Sequence, residues 1–165
     1  MKIIRSYFNN YRLYMYIGIN VCLLIPLTVS SYIEADLMIP FILFLPVCVY
    51  LLYKFLVDIP GSMDSTLKLL SCSLLMLSIV LLTYSNLYLS IYKQYGQSSF
   101  SGPNLTADDF IYYSVTTFTT TGYGDITSTC SLSYAAAASE MLIGFLSSTI
   151  FMAILAAKIA RTFNK

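Results

Sequence analysis

The sequence predicts an all-α membrane protein, with four transmembrane helices per chain plus one short re-entrant helix and an extended return. Three observations predict it. The 165 residues are 58% hydrophobic and only 10% charged, with a mean hydropathy of +0.74, whereas a soluble domain carries about 25% charged residues. The charges stand between long uncharged runs rather than within them. One segment between the last two runs, "TTFTTTGYGDIT" at 116–127, is polar and broken by glycine.

Each run is long enough to cross, since a helix needs roughly 20 residues to span the hydrocarbon core. Residues 13–33 form the first, with 21 uncharged residues, and residues 37–53 the second, with 17 and apolar character continuing to Val57. The third is 69–92, with 24, and the fourth is 141–157, with 17, extended backwards by alanines to about residue 132. Pro26, Pro40 and Pro46 fall within the first two helices. Spanning helices tolerate proline because neighbours re-satisfy the freed carbonyl, so kinks are expected there. The chain divides into an N-terminal segment 1–12, a transmembrane hairpin 13–57, a loop 58–67, a C-terminal module 68–162 and a tail 163–165.

Four spans place both termini on one side. Lys2, Arg5, Arg12, Lys54, Lys68, Lys158, Arg161 and Lys165 share that side, and Lys93 lies opposite. Basic residues gather on the cytoplasmic side, so both termini are expected to be cytoplasmic, in a multi-pass protein of the cell membrane. Glu34, Asp36, Asp108, Asp109 and Asp125 then fall outside. Tyrosines at 7, 11, 14 and 16, and at 84, 88, 92 and 95, suit the two water interfaces. The basic start carries no small-residue cleavage site and does not read as a removed signal.

Several functions are disfavoured. A net charge of +1 implies no nucleic-acid partner. The absence of histidine removes the usual metal ligand and catalytic base. Cys22, Cys48 and Cys72 lie in apolar runs, Cys130 lies near a loop, and no C-x-x-C spacing appears. With no nucleophile–base pair, an enzyme is not expected, nor is a cofactor.

Residues 93–131 lie on the outer side and do not span. "KQYGQSSFSGPN" reads as an exposed loop. Thr106 then caps a helix with Asp108 and Asp109 in its first turn, where acids favour the positive end of the dipole. Phe110, Tyr112 and Tyr113 begin an amphipathic run to about Phe118. Twelve helical residues rise about 18 Å, too little to cross. The chain dips in and must return through the quoted, non-helical stretch. Such backbone survives at membrane depth only when buried in protein or lining a watery path. Gly122 and Gly124 take positive φ freely. Alternating conformations would let successive carbonyls point one way, and carbonyls around an axis can replace a cation's hydration shell. One chain supplies one column of carbonyls, so copies must close around an axis.

"TTGYGD", residues 120–125, resembles the selectivity-filter signature of tetrameric potassium channels of the prokaryotic pore-loop kind, and the likeness covers about residues 68–162. It implies a pore module of outer helix, pore helix, filter and inner helix, assembled as a four-fold homotetramer in the lipid bilayer, with K+ as permeant ion. The resemblance implies K+ sites at the carbonyls of Thr120, Thr121, Gly122 and Tyr123, plus the Thr120 hydroxyl at the inner end. Gly124 would shape the outer mouth. The Tyr123 ring would pack into the cuff around the filter. Where relatives often carry valine or isoleucine, this chain has Thr121, whose hydroxyl can bond behind the filter. Tyr112 and Tyr113 stand where many relatives place two tryptophans, with hydroxyls able to reach Asp125 and Tyr123. Thr116 stands where some relatives carry a buried acid. Gly144, twenty residues beyond Gly124, matches the family's hinge glycine; close helix packing is the other reading. Phe145, Ser148, Met152 and Ala156 would face the cavity and inner gate. Glu140 resembles a glutamate that several relatives place four residues before the hinge. Either it bonds behind the filter or the pore helix, or it marks a partly wet helix end.

The first two helices carry no arginine repeat, so no charged voltage sensor is expected. The pore helix would aim its negative end at a cavity that favours cations, and Asp108, Asp109 and Asp125 would attract them to the mouth. Two other readings remain: a cation channel that does not select potassium, and a non-conducting membrane subunit that regulates a partner.

Overall fold

A computed structural model of the chain describes residues 2–29, 38–59, 66–102 and 104–163. Glu34, Asp36, Pro103, Lys165 and most of the 58–67 connection lie outside the described residues. Five helices follow in order: α1 (Lys2–Val29), α2 (Met38–Asp58), α3 (Thr66–Tyr95), α4 (Ala107–Phe118) and α5 (Ser131–Phe163), with a 3-10 turn, Gly96–Ser98, after α3. Four contain spans long and apolar enough to cross a membrane: Tyr11–Val29, Met38–Asp58, Leu70–Ser98 and Ser131–Ile154. The helices run on through Pro26 and Pro46.

α3 is the hub. Its spanning window is 67% buried, against 17–22% for the other three. α1 and α2 each lie along α3, and α2 also reaches α5. The two N-terminal helices each dock chiefly on α3. They are linked at one end by an ion pair between Arg12 and Asp58, 2.5 Å apart and about two-fifths exposed. Such a pair contributes little, about 0–1 kcal/mol.

The buried stripe of α1, Tyr16, Asn20, Leu23 and Leu27, repeats at helical spacing and faces α3. Two asparagines stitch the contact. The Asn20 amide donates to the Leu75 carbonyl at 3.1 Å and its oxygen accepts from Ser78 at 2.7 Å. In the reverse direction, the Asn86 amide donates to the Leu23 carbonyl at 2.9 Å. Hydrogen bonds between membrane helices contribute on average about 0.6 kcal/mol. The double variant Asn20→Leu, Asn86→Leu is expected to loosen α1 from α3, read as faster hydrogen exchange confined to α1. Unchanged exchange there would mean that apolar packing alone holds the helix.

Candidate functional site

The site is built on α4, a twelve-residue helix. Its start is fixed by Asp109, whose carboxylate accepts the Thr106 backbone N–H at 2.7 Å and the Thr106 hydroxyl at 2.8 Å. This satisfies one of the donors a helix start leaves open. Phe110, Tyr113, Ser114, Thr116, Thr117 and Phe118 are buried, which seats α4 against α3 and α5. At the far end the chain turns sharply. Thr120 N–H bonds the Thr117 carbonyl at 3.0 Å, while the Thr116 carbonyl accepts both Thr121 N–H at 2.9 Å and Gly122 N–H at 3.2 Å. One carbonyl at the end of the helix thus ties down the start of the return.

Along that return the backbone alternates. Thr120 has φ +56°, Gly122 +53° and Gly124 +84°, while Thr121 and Tyr123 keep negative φ. Among the described residues, no hydrogen bond ends on a carbonyl of residues 120–124. The stretch Thr119–Asp125 is exposed along its length in the single chain. Sequence reasoning assigned positive φ to the glycines and missed Thr120. A β-branched residue there costs about 1–2 kcal/mol. The Thr120 hydroxyl bonds the preceding carbonyl, Thr119, at 2.7 Å. The only available signal was its place two residues before Gly122, in phase with the glycines.

The flanking side chains are held from several sides. The Thr121 hydroxyl lies 2.9 Å from that of Thr119. Thr116 is buried, and its hydroxyl bonds the Tyr113 carbonyl at 3.0 Å. Tyr123 is 72% exposed in the single chain, with its ring stacked on Tyr112 at 6.4 Å between centroids and 8° between planes. The neighbouring Asp125 carboxylate, interacting with the Tyr112 hydroxyl, holds that phenol above its ordinary pKa. Tyr113 does not follow its neighbour. Its hydroxyl pairs with Ser128 at 2.9 Å, because its ring is buried between Tyr88 and Phe100, at 5.0 and 5.5 Å. Tyr113 therefore steadies the segment beyond the return rather than Asp125 or Tyr123. That segment is pinned again by Ser101 N–H to the Thr127 carbonyl at 2.8 Å and Thr129 N–H to the Ser99 carbonyl at 3.0 Å.

α5 presents two unlike faces. Ser133, Ala136, Glu140 and Gly144 are packed, while Phe145, Ser148, Met152 and Ala156 are exposed together at helical spacing. Glu140 is not a wet helix end. It is fully buried and accepts Tyr88 and Ser114 hydroxyls, each at 2.6 Å. Gly144 has a packing reason for its residue type: an ideal Cβ there would lie 2.2 Å from the Phe118 carbonyl oxygen. A hinge at this level would have to part that contact.

A short buried helix, a φ-alternating return and two flanking spans define a pore-loop membrane protein. Residues 75–161, more than half of the chain, match the model of the family described as ion channel. The chain belongs to the ion channel family. No curated protein and no solved structure matches it.

Proposed function

We propose that this ion channel is potassium-selective and conducts dehydrated K+ through a ring of carbonyls from Thr120, Thr121, Gly122 and Tyr123, in a homotetramer. The observation that carries this reading is the sign alternation of φ at Thr120, Gly122 and Gly124. Alternating left- and right-handed residues turn successive peptide units the same way, and unpaired carbonyls so turned can substitute for water around a cation. Further support comes from the exposure of this strand and of Phe145, Ser148 and Met152 in a lone chain. Four-fold assembly would cover the strand and turn those residues onto a central cavity. The basic residues favour cytoplasmic termini, and the lack of an arginine repeat favours gating without a charged voltage sensor.

The test is flux. Purified protein in liposomes is expected to pass thallium and potassium, to be blocked by barium, and to reverse near the potassium potential in mixed sodium and potassium. Equal sodium permeability would replace this reading with a non-selective channel, and no flux with a regulatory subunit. The Tyr112→Phe variant keeps the ring stack and loses the tie to Asp125, so its potassium flux is expected to fall about threefold. Flux equal to wild type would show the outer mouth is held without it.

A further inference from the structure

Glu140 is the fully buried carboxyl of α5, and three helices meet on it. Its Oε2 accepts the Tyr88 hydroxyl of α3, and its Oε1 accepts the Ser114 hydroxyl of α4, each at 2.6 Å. Tyr88 and Ser114 are themselves fully buried. A carboxyl in this setting is not explained by stability, because well-packed apolar residues usually serve a core as well or better. Ionisable groups at membrane depth are functional candidates for that reason.

What Glu140 holds is the support of the ion pathway. Ser114 lies two residues before Thr116, whose carbonyl anchors the Thr121 and Gly122 amides. One turn beyond Glu140, Gly144 lies against Phe118, itself one turn beyond Ser114. The inner and pore helices therefore meet at two points with the same four-residue spacing, one a hydrogen bond and one a close backbone approach. Neither helix can slide or rotate past the other without breaking both.

We infer that Glu140 is a positioning residue that couples the inner helix to the conduction strand: through Ser114 it fixes the pore helix, so that displacement of α5 is felt at Thr120–Gly124. The inference rests on the reading of that strand as the ion pathway. It adds that the strand's geometry is set from the inner helix, with Tyr88 anchoring the same carboxyl to the outer helix. Ser114→Ala removes one donor. Glu140→Gln places an amide N–H₂ against a hydroxyl that now donates, so one of the two bonds must reverse or be lost.

The test uses the full chain in lipid nanodiscs and liposomes, with Ser114→Ala, Glu140→Gln and the double variant. Two quantities are read: hydrogen exchange at the amides of 119–124, and the barium concentration that halves thallium flux. Both are expected to rise about tenfold in each single variant, within the usual range for coupled sites. The double variant is expected to be no worse than the more affected single one, because the two residues act through one bond. Unchanged exchange at 119–124 in Ser114→Ala would overturn the inference even if thermal stability fell, since that pattern is simple structural glue. If Glu140→Gln fails to assemble, Ser114→Ala and Tyr88→Phe decide the matter by the same exchange measurement. If the wild-type chain passes no thallium, the potassium reading fails, while exchange at 119–124 still decides the coupling.

Discussion

Gly122→Ala and Gly124→Ala are each expected to abolish potassium flux while leaving the oligomer intact. The cause is conformational, not steric crowding: a Cβ at either position meets nothing within 4 Å in the single chain. The backbone there has φ +53° and +84°, and an L-residue in the left-handed region costs about 1–2 kcal/mol. Thr120 already carries one such cost in every chain. In the proposed four-fold ring each alanine would add its penalty four times, about 4–8 kcal/mol per assembly, enough to tip the strand into another conformation. D-alanine, introduced by semisynthesis, prefers positive φ and is expected to keep the flux that L-alanine loses. The oligomer is expected to survive because neither glycine lies in a helix, and size-exclusion chromatography checks that point. Wild-type-like flux in both L-alanine variants would remove the filter assignment.

Gly144→Ala is expected to be the most disruptive single methyl addition among the helical glycines with described surroundings. The new Cβ would sit 2.2 Å from the Phe118 oxygen and 3.0 Å from its carbonyl carbon. Backbone cannot rotate away as a side chain can, so α4 or α5 must move. Overpacking of this kind costs about 1–3 kcal/mol. The end of α4 that moves also carries Thr116, the anchor of Thr121 and Gly122, so flux should fall together with thermal stability. Gly18→Ala is the control. Nothing lies within 4 Å of a Cβ there, and alanine favours a helix interior over glycine by about 1 kcal/mol. That variant should unfold no earlier than wild type. A Gly144→Ala protein with unchanged melting and flux would mean the two helices separate freely, as a hinge at this position requires.

Much of this architecture was legible in the chain because membrane residence imposes coarse, local rules. Uncharged runs of spanning length had to become helices, since lipid offers backbone groups no partners. The dip at 107–118 was readable from a Thr–Asp start and a length too short to cross. Tyr113 was less legible. Adjacent tyrosines look alike in sequence, yet one ring faces Tyr123 and the other is clasped by Tyr88 and Phe100. Which hydroxyl reaches Asp125 depends on the rotation of α4 in its seat, and no single segment encodes that. Thr120 was hidden for a different reason: threonine does not advertise left-handed backbone, and the bonds onto Thr116 and Thr117 force it there.

Composition, charge spacing and one glycine-framed motif were thus enough to define a four-span channel with a re-entrant segment, because these are properties of the chain relative to its solvent. The partners of Glu140, the abutment of Gly144 on Phe118 and the docking of α1 and α2 on α3 emerged only from the folded chain. The contacts of Glu140 and Gly144 join residues at least 26 positions apart. Such contacts depend on how helices rotate and cross, which packing settles collectively and no local pattern records.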